Sequence, residues 1–251
     1  MQKTVLITGA TSGIGKATAE ILAGKNHRLI LCGRRKERLS ELEATLGKIT
    51  QIHTLSFDVT KKNEVFSAIA SLPNDWKKID ILINNAGNAH GYDPVHEGNM
   101  DDWEAMIDIN LKGLLYVTKA IVTDMVLRKS GHIINIGSIA GIESYANGSV
   151  YNASKYAVDG FTKAMRQDLV SHNIKVSEIK PGAVNTEFSN VRFKGNTERA
   201  AKVYEGFEPL TAKDIAEIIE FIISRPAHVN LADTLILPTA QASATVVHRT
   251  K

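Results

Sequence analysis

What most limits the folds open to this chain is an alternation: short β-branched and aliphatic runs are separated by longer amphipathic stretches. That order is the signature of βαβ units, in which parallel strands pack side by side and the crossover helices cover the sheet. Strands are predicted near residues 4–8, 28–32, 51–57, 79–83, 132–136, 175–179 and 234–237. Strands buried on both faces read as continuous apolar runs, as Ile81-Leu82-Ile83 and Ile133-Ile134-Asn135-Ile136 do. Helices are predicted over 14–23, 35–46, 63–71, 102–128, 151–171 and 211–223. The pattern predicts an α/β fold, a doubly wound parallel sheet of about seven strands with helices on both faces. No repeat, linker or low-complexity block divides the 251 residues, so one domain spanning 1–251 is expected.

Two connections are long for such a pattern, residues 84–100 and 181–210, and loops of that length commonly shape a site. Helix starts carry caps: Thr211 with Asp214 has the form of a capping box, and Asp101-Asp102 places negative charge at a positive helix end. Composition narrows the function classes. With 30 Lys and Arg against 27 Asp and Glu, the cations scattered, a nucleic-acid partner is disfavoured. The single Cys32 cannot form an internal disulfide, which points to a reducing compartment and a cytoplasmic address, and a small buried apolar role is its default. The first apolar stretch is too short for a signal peptide and no run is long enough to span a membrane. His90, Asp93, His96 and Glu97 share a loop without a recognised ligand spacing, so no metal is expected.

Directly after the first strand stands Thr8-Gly9-Ala10-Thr11-Ser12-Gly13-Ile14-Gly15, a glycine-rich turn feeding a helix. A dinucleotide pyrophosphate needs backbone N–H groups at a helix start and residues without a Cβ where that backbone comes close, a need that Gly9, Gly13 and Gly15 meet. A sharp strand-to-helix turn also favours glycine for structural reasons alone. At the end of the second strand a carboxylate would accept from a ribose 2′-hydroxyl, whereas arginine would neutralise a 2′-phosphate. Leu31-Cys32-Gly33-Arg34-Arg35 offers two arginines and no acid, which favours NADP over NAD, the plainer alternative being a solvated helix start. Asp58, after the third strand, either lies beside the adenine or caps the next helix.

Tyr151 and Lys155 stand four residues apart, on one face of a predicted helix. An ordinary tyrosine is a poor base at neutral pH, but an adjacent ammonium and a cationic nicotinamide ring favour the phenolate, and such a residue can exchange a proton with an alcohol or carbonyl oxygen. Ser138 follows the fifth strand, so it and Tyr151 are predicted at the carboxyl edge of the sheet, where ligands collect. Ser138 either orients a substrate oxygen or is a turn hydroxyl bonded to its own backbone.

Taken in order, the Gly-rich turn, Asn84-Asn85-Ala86-Gly87 and Tyr151-Asn152-Ala153-Ser154-Lys155 resemble the motifs of the short-chain dehydrogenase/reductase superfamily, over essentially the whole chain. The resemblance implies a Rossmann-type fold and a homotetramer. It also implies roles: Asn110 supporting a proton-relay water, Ser138 orienting substrate, Tyr151 as acid/base, and Lys155 binding ribose and lowering the tyrosine pKa. Asn85, Ala86 and Gly87 would support the adenosine side. Pro181-Gly182-Ala183-Val184-Asn185-Thr186 is similar to the family's nicotinamide-contacting segment, with Thr186 as the hydroxyl that meets the carboxamide.

A narrower likeness, in residues 186–195, 226–230 and 232–239, is to the NADP-dependent 3-hydroxy acid dehydrogenases, which act on serine, allo-threonine and 3-hydroxypropionate or malonic semialdehyde. Arg192, Lys194 and Arg199 in the second long loop are candidates for a substrate carboxylate, Arg192 first among them. Rival readings are a 3-oxoacyl thioester reductase or broad carbonyl reductase on the same scaffold, and a non-catalytic NADP sensor.

Overall fold

Side chains that alternate between two buried faces account for the continuous apolar runs. In the computed structural model, which describes residues 2–250, Val5 and Ile7 pack into one core while Leu6 between them packs into another. The strands among the described residues are β1 (Thr4–Thr8), β2 (Arg28–Gly33), β3 (Ile52–Ser56), β4 (Ile81–Asn84), β5 (Gly131–Ile136), β6 (Ile174–Pro181), β7 (Val184–Asn185), β8 (Leu210–Thr211) and β9 (Asp233–Ile236). Seven of them form a parallel sheet in the order β3-β2-β1-β4-β5-β6-β9. The chain reverses its direction of winding between β1 and β4, and the crevice at their carboxyl ends is where such sheets bind ligands.

The crossover helices are α1 (Gly13–Gly24), α2 (Lys36–Leu46), α3 (Lys62–Ala70), α4 (Met100–Ile107), α5 (Leu114–Leu127) and α6 (Ser149–Leu169), followed by the short α7 (Phe188–Arg192) and α8 (Thr197–Lys202), then α9 (Ala212–Ser224). Leu22, Leu39, Leu42 and Ile219 bring α1, α2 and α9 onto one face of the sheet. Val65, Val117, Met125 and Met165 bring α3, α5 and α6 onto the other, where Cys32 is also buried. No helix among the described residues is long and apolar enough to cross a membrane.

Three local expectations change. The helix predicted over 102–128 starts at Met100, capped by the Asn99 side chain, with Asp101 and Asp102 in its first turn; a wide helical turn (Asp108–Gly113) then divides α4 from α5. One extra residue in such a turn rotates the side chains beyond it, a feature that hydrophobic spacing averages away. Residues 181–210 are not bare loop: they hold α7 and α8, and their two ends pair as β7 and β8, Val184 opposite Leu210. Asp58 caps no helix, since Lys61 holds the N-cap of α3; its Oδ1 accepts from the Thr60 amide and hydroxyl, both at 2.9 Å. The capping box at Thr211 and Asp214 forms as predicted.

Candidate active site

A cavity of about 480 Å³ opens at the carboxyl ends of the central strands. One wall is the turn between β1 and α1. Gly9 has φ +66, and a Cβ there would lie 2.9 Å from Asn85 Nδ2 and 3.0 Å from Ala86 Cα. A Cβ on Gly15 would strike the Gly9 carbonyl and sit 2.5 Å from Asn85 Nδ2. The turn is that tight because the segment after β4 is stitched to it: Thr8 Oγ1 accepts from the amides of Asn85 and Ala86, each at 3.0 Å, and Asn85 Nδ2 donates to Thr8 O at 2.9 Å. Asn84 instead points inward, bridging Thr118 and Asn135 at 2.9 Å each. Thr11, Ser12, Gly13 and Ile14 complete this wall, and across it Thr186 lies against Gly13.

The arginines after β2 diverge rather than forming a pair. Arg34 reaches Asp58 at 3.3 Å. Burial opposes ionisation of Asp58, but the Thr60 bonds and Arg34 outweigh it and hold its carboxyl below the ordinary value. Arg35 turns over the glycine-rich turn, with Nη2 2.7 Å from Ser12 Oγ and 2.9 Å from Thr11 Oγ1. Its Nη1 meets Glu187 Oε2 at 3.0 Å, and Arg38 meets Glu187 Oε1 at 2.8 Å. Arg38 escaped the sequence reading, although its place one helical turn after Arg35 on α2 was a usable signal. Phe57 and Val59 line the cavity; Asp58 does not.

At the centre stand Ser138, Tyr151 and Lys155, all buried and all lining the cavity. Ser138 stands two residues beyond β5, and its Oγ accepts from the Ala140 amide at 3.1 Å, so the turn reading holds; the same hydroxyl acts on the Tyr151 phenol. Lys155 Nζ donates to Ile136 O at 2.9 Å and lies 5.9 Å from the centre of the Tyr151 ring. The expected lowering of the tyrosine pKa by Lys155 is not found. Burial pushes the phenol well above its ordinary value and the neighbouring Tyr145 adds to this, with Ser138 and Arg192 opposing. The ammonium is aimed at a backbone carbonyl and is itself lowered to about 8 by burial, against the pull of Glu178. In the protein alone, Tyr151 is therefore a proton-holding acid at neutral pH.

Asn110 sits one layer behind, in the wide turn between α4 and α5. Its Oδ1 accepts from the Asn88 amide and its Nδ2 donates to Asn88 O, each at 2.8 Å, and Nδ2 also donates to Ser154 Oγ at 3.0 Å. Asn110 Oδ1 and Lys155 Nζ flank Gly87, 3.0 and 3.7 Å from where its Cβ would stand. The opposite wall comes from residues 181–210. Pro181, Gly182 and Val184 line it, and Gln241 Oε1 accepts from the Ala183 amide at 2.9 Å in the space left by the missing Gly182 side chain. Thr186 Oγ1 accepts from the Phe188 amide at 3.2 Å.

Arg192 dominates this wall. Its Nε donates to Gly91 O at 3.2 Å, and its guanidinium lies 4.9 Å from the Tyr92 ring and 5.6 Å from each of the Tyr145 and Tyr151 rings. Its Nη2 is buried with no hydrogen-bond partner. The other loop cations turn away: Lys194 pairs with Asp102 at 2.8 Å, and Arg199 stacks on Phe193. Tyr145, Phe188 and Tyr204 also line the cavity, and sequence reasoning missed them because single loop aromatics have no periodicity to betray their direction. His90 pairs with Asn88 Nδ2 at 2.8 Å.

A Gly-rich turn at a helix start, a Ser, Tyr and Lys cluster beneath it and a parallel seven-stranded sheet define a class, and comparison with known proteins agrees. The profile of the family described as short chain dehydrogenase matches residues 3–197, and the chain belongs to that family. It is 45% identical over 247 residues to the NADP-dependent 3-hydroxy acid dehydrogenase YdfG of Salmonella typhi, covering 98% of this chain and 99% of that one. It is 44% identical over 250 residues to the NADP-dependent 3-hydroxy acid dehydrogenase of Schizosaccharomyces pombe, covering 98% and 96%. Among solved structures, it superposes on the closed form of serine dehydrogenase complexed with NADP+ with a TM-score of 0.92 at 45% identity, over 98% of this chain and all of the other.

Proposed function

We propose that this protein is an NADP-dependent oxidoreductase interconverting a small 3-hydroxy acid and its 3-oxo acid, of the serine, allo-threonine and 3-hydroxypropionate or malonic semialdehyde class. The observation that carries the substrate class is Arg192: a half-buried guanidinium whose Nη2 is buried and unpartnered, beside Tyr151, calls for an anion within reach of the proton donor. The residues fit the dinucleotide. Gly9 and Gly15 leave no room for a Cβ where the pyrophosphate needs backbone at the start of α1, and Arg35 with Arg38 offers guanidinium charge for a 2′-phosphate. Pro181, Gly182, Val184 and Thr186 would hold the nicotinamide end, Asn85, Ala86 and Gly87 the middle, and Lys155 the ribose hydroxyls.

The cofactor supplies or accepts a hydride when bound. In reduction, Arg192 orients the substrate carboxylate, Ser138 donates a hydrogen bond to the carbonyl oxygen, and Tyr151 delivers the proton that its raised pKa keeps in place at neutral pH. Asn110, behind the tyrosine, would hold a water through which solvent returns the proton to it, with the Lys155 ammonium alongside. Residues 181–210 act as the substrate loop. A homotetramer, which the family resemblance implies, would be read by light scattering. The deciding experiment is a panel: malonic semialdehyde, an acetoacetyl thioester and a neutral ketone with NADPH and with NADH. The 3-oxo acid with NADPH is expected to have the highest kcat/KM, and faster turnover of the thioester or the neutral ketone would overturn the substrate class.

A further inference from the structure

Lys155 is only 7% exposed, and its Nζ hydrogen-bonds to a neutral carbonyl, Ile136 O. A buried ammonium that has to stay charged needs a counter-charge close by. Its source is β6. Glu178 is fully buried and pairs in register with Asn135 of β5, and its carboxylate lies against Gly137, where any Cβ would collide with Oε1. Gly137 joins the carbonyl that grips Lys155 to Ser138. Neither Glu178 oxygen has a hydrogen-bond partner.

The groups facing Glu178 are Lys155 and Asp159 from α6, Lys180 from its own strand and Asp233 from β9. Lys180 neutralises it only in part. Lys180 Nζ lies 2.7 Å from Asp159 and 2.6 Å from Asp233 but 3.7 Å from Glu178 Oε2, so one ammonium is shared among three carboxylates and the two nearer ones hold it most closely. Farther out, Lys163 holds Asp159 at 2.7 Å and Arg166 holds Asp233 at 3.2 Å. Charges of alternating sign thus run beneath the strand ends from the surface to the cavity, and Glu178 is the last negative one.

We propose that Glu178 is a positioning residue for the reaction, the buried counter-charge that keeps the Lys155 ammonium protonated and seated on the Ile136 carbonyl. The proposal rests on the reading of Lys155 as part of the active site. Burial draws Lys155 down to about 8 and Glu178 opposes it; burial raises Glu178 to about 7, with Lys180 and Lys155 opposing. Above about pH 7 Glu178 is ionised and strengthens the hold of Lys155 on its proton, so removing the carboxylate moves the lysine titration to lower pH.

Competitive labelling of the full chain with acetic anhydride across pH, read by mass spectrometry, gives the Lys155 midpoint directly. In Glu178→Gln that midpoint is expected to fall by about one pH unit while exposed Lys16 stays fixed. The alkaline limb of kcat should move with it, and KM should change less than about twofold. An unmoved Lys155 midpoint in a variant with native circular dichroism overturns the proposal. Should Glu178→Gln not fold, Glu178→Asp withdraws the charge by one methylene: a smaller fall in the same direction supports the proposal, and no fall overturns it. Retained turnover in Lys155→Ala would defeat the functional reading of Lys155 and leave the labelling result intact.

Discussion

The two walls of the cavity are held by different forces. The wall built from the β1–α1 turn and residues 84–87 is a backbone construction: Gly9 and Gly15 are pressed against carbonyls and amides with no space for one more carbon, and Thr8 and Asn85 lock the two loops together. The wall built from residues 181–210 is a side-chain construction. It stands away from the main sheet on the two-residue strands β7 and β8, and contacts distant in sequence tie it down: Arg192 to Gly91 and three tyrosines, and Glu187 to Arg35 and Arg38. The first wall therefore tolerates no added methyl, whereas the second depends on particular charged groups and can yield when they are exchanged.

Removing the group where the two walls meet should have the largest effect. Tyr151→Phe is expected to lower kcat by about 10³-fold while the NADPH Kd, read by fluorescence titration, stays within about twofold; retained turnover would take Tyr151 out of the chemistry. On the backbone wall, Gly15→Ala is expected to weaken NADPH binding by about 10- to 100-fold, as overpacking of this kind costs about 1–3 kcal/mol. Unchanged binding would break the contrast, by showing that the turn can yield. On the side-chain wall, Arg192→Ala is expected to raise KM for 3-hydroxy acids by about 10- to 100-fold, the worth of a charge-assisted hydrogen bond, and KM for neutral alcohols by less than about threefold. Equal losses for both substrate types would count against a carboxylate anchor. Smallest is Glu187→Gln: half-exposed ion pairs contribute little, so the thermal midpoint should move by no more than about 2–4 °C. A larger fall would mean that one bridge carries the closure of the whole loop.

Much of this was legible in the chain. Each of the seven predicted strands overlaps an observed strand of the main sheet, because strands buried on both sides cannot hide their apolar runs. The residues that converge on the cavity, from Gly9 and Ser12 to Ser138, Tyr151 and Lys155, were found because each stands at a strand end or a helix start. The predicted partners of charged side chains fared worse. Arg34 and Arg35 read as a pair and point at different acids; Tyr151 and Lys155 read as lying on one helix face with the ammonium close enough to act on the phenol, yet the ammonium faces a carbonyl. Helical spacing places two side chains on one face without saying which acceptor each will choose, and burial, which raised the phenol instead of lowering it, is a property of the packed interior.

By itself the sequence determined the alternating sheet, the glycine-lined turn and the positions at which reactive groups would be offered, since these depend on local periodicity and on where a chain can turn without a side chain. Only the tertiary structure decided that Arg192 would be the loop cation facing Tyr151, that Glu187 would bridge Arg35 at the N-cap of α2 and Arg38 in its first turn, and that a carboxylate on β6 would end up behind Lys155. Electrostatic partnership depends on distance and on exclusion of water, and neither exists until remote segments have packed together.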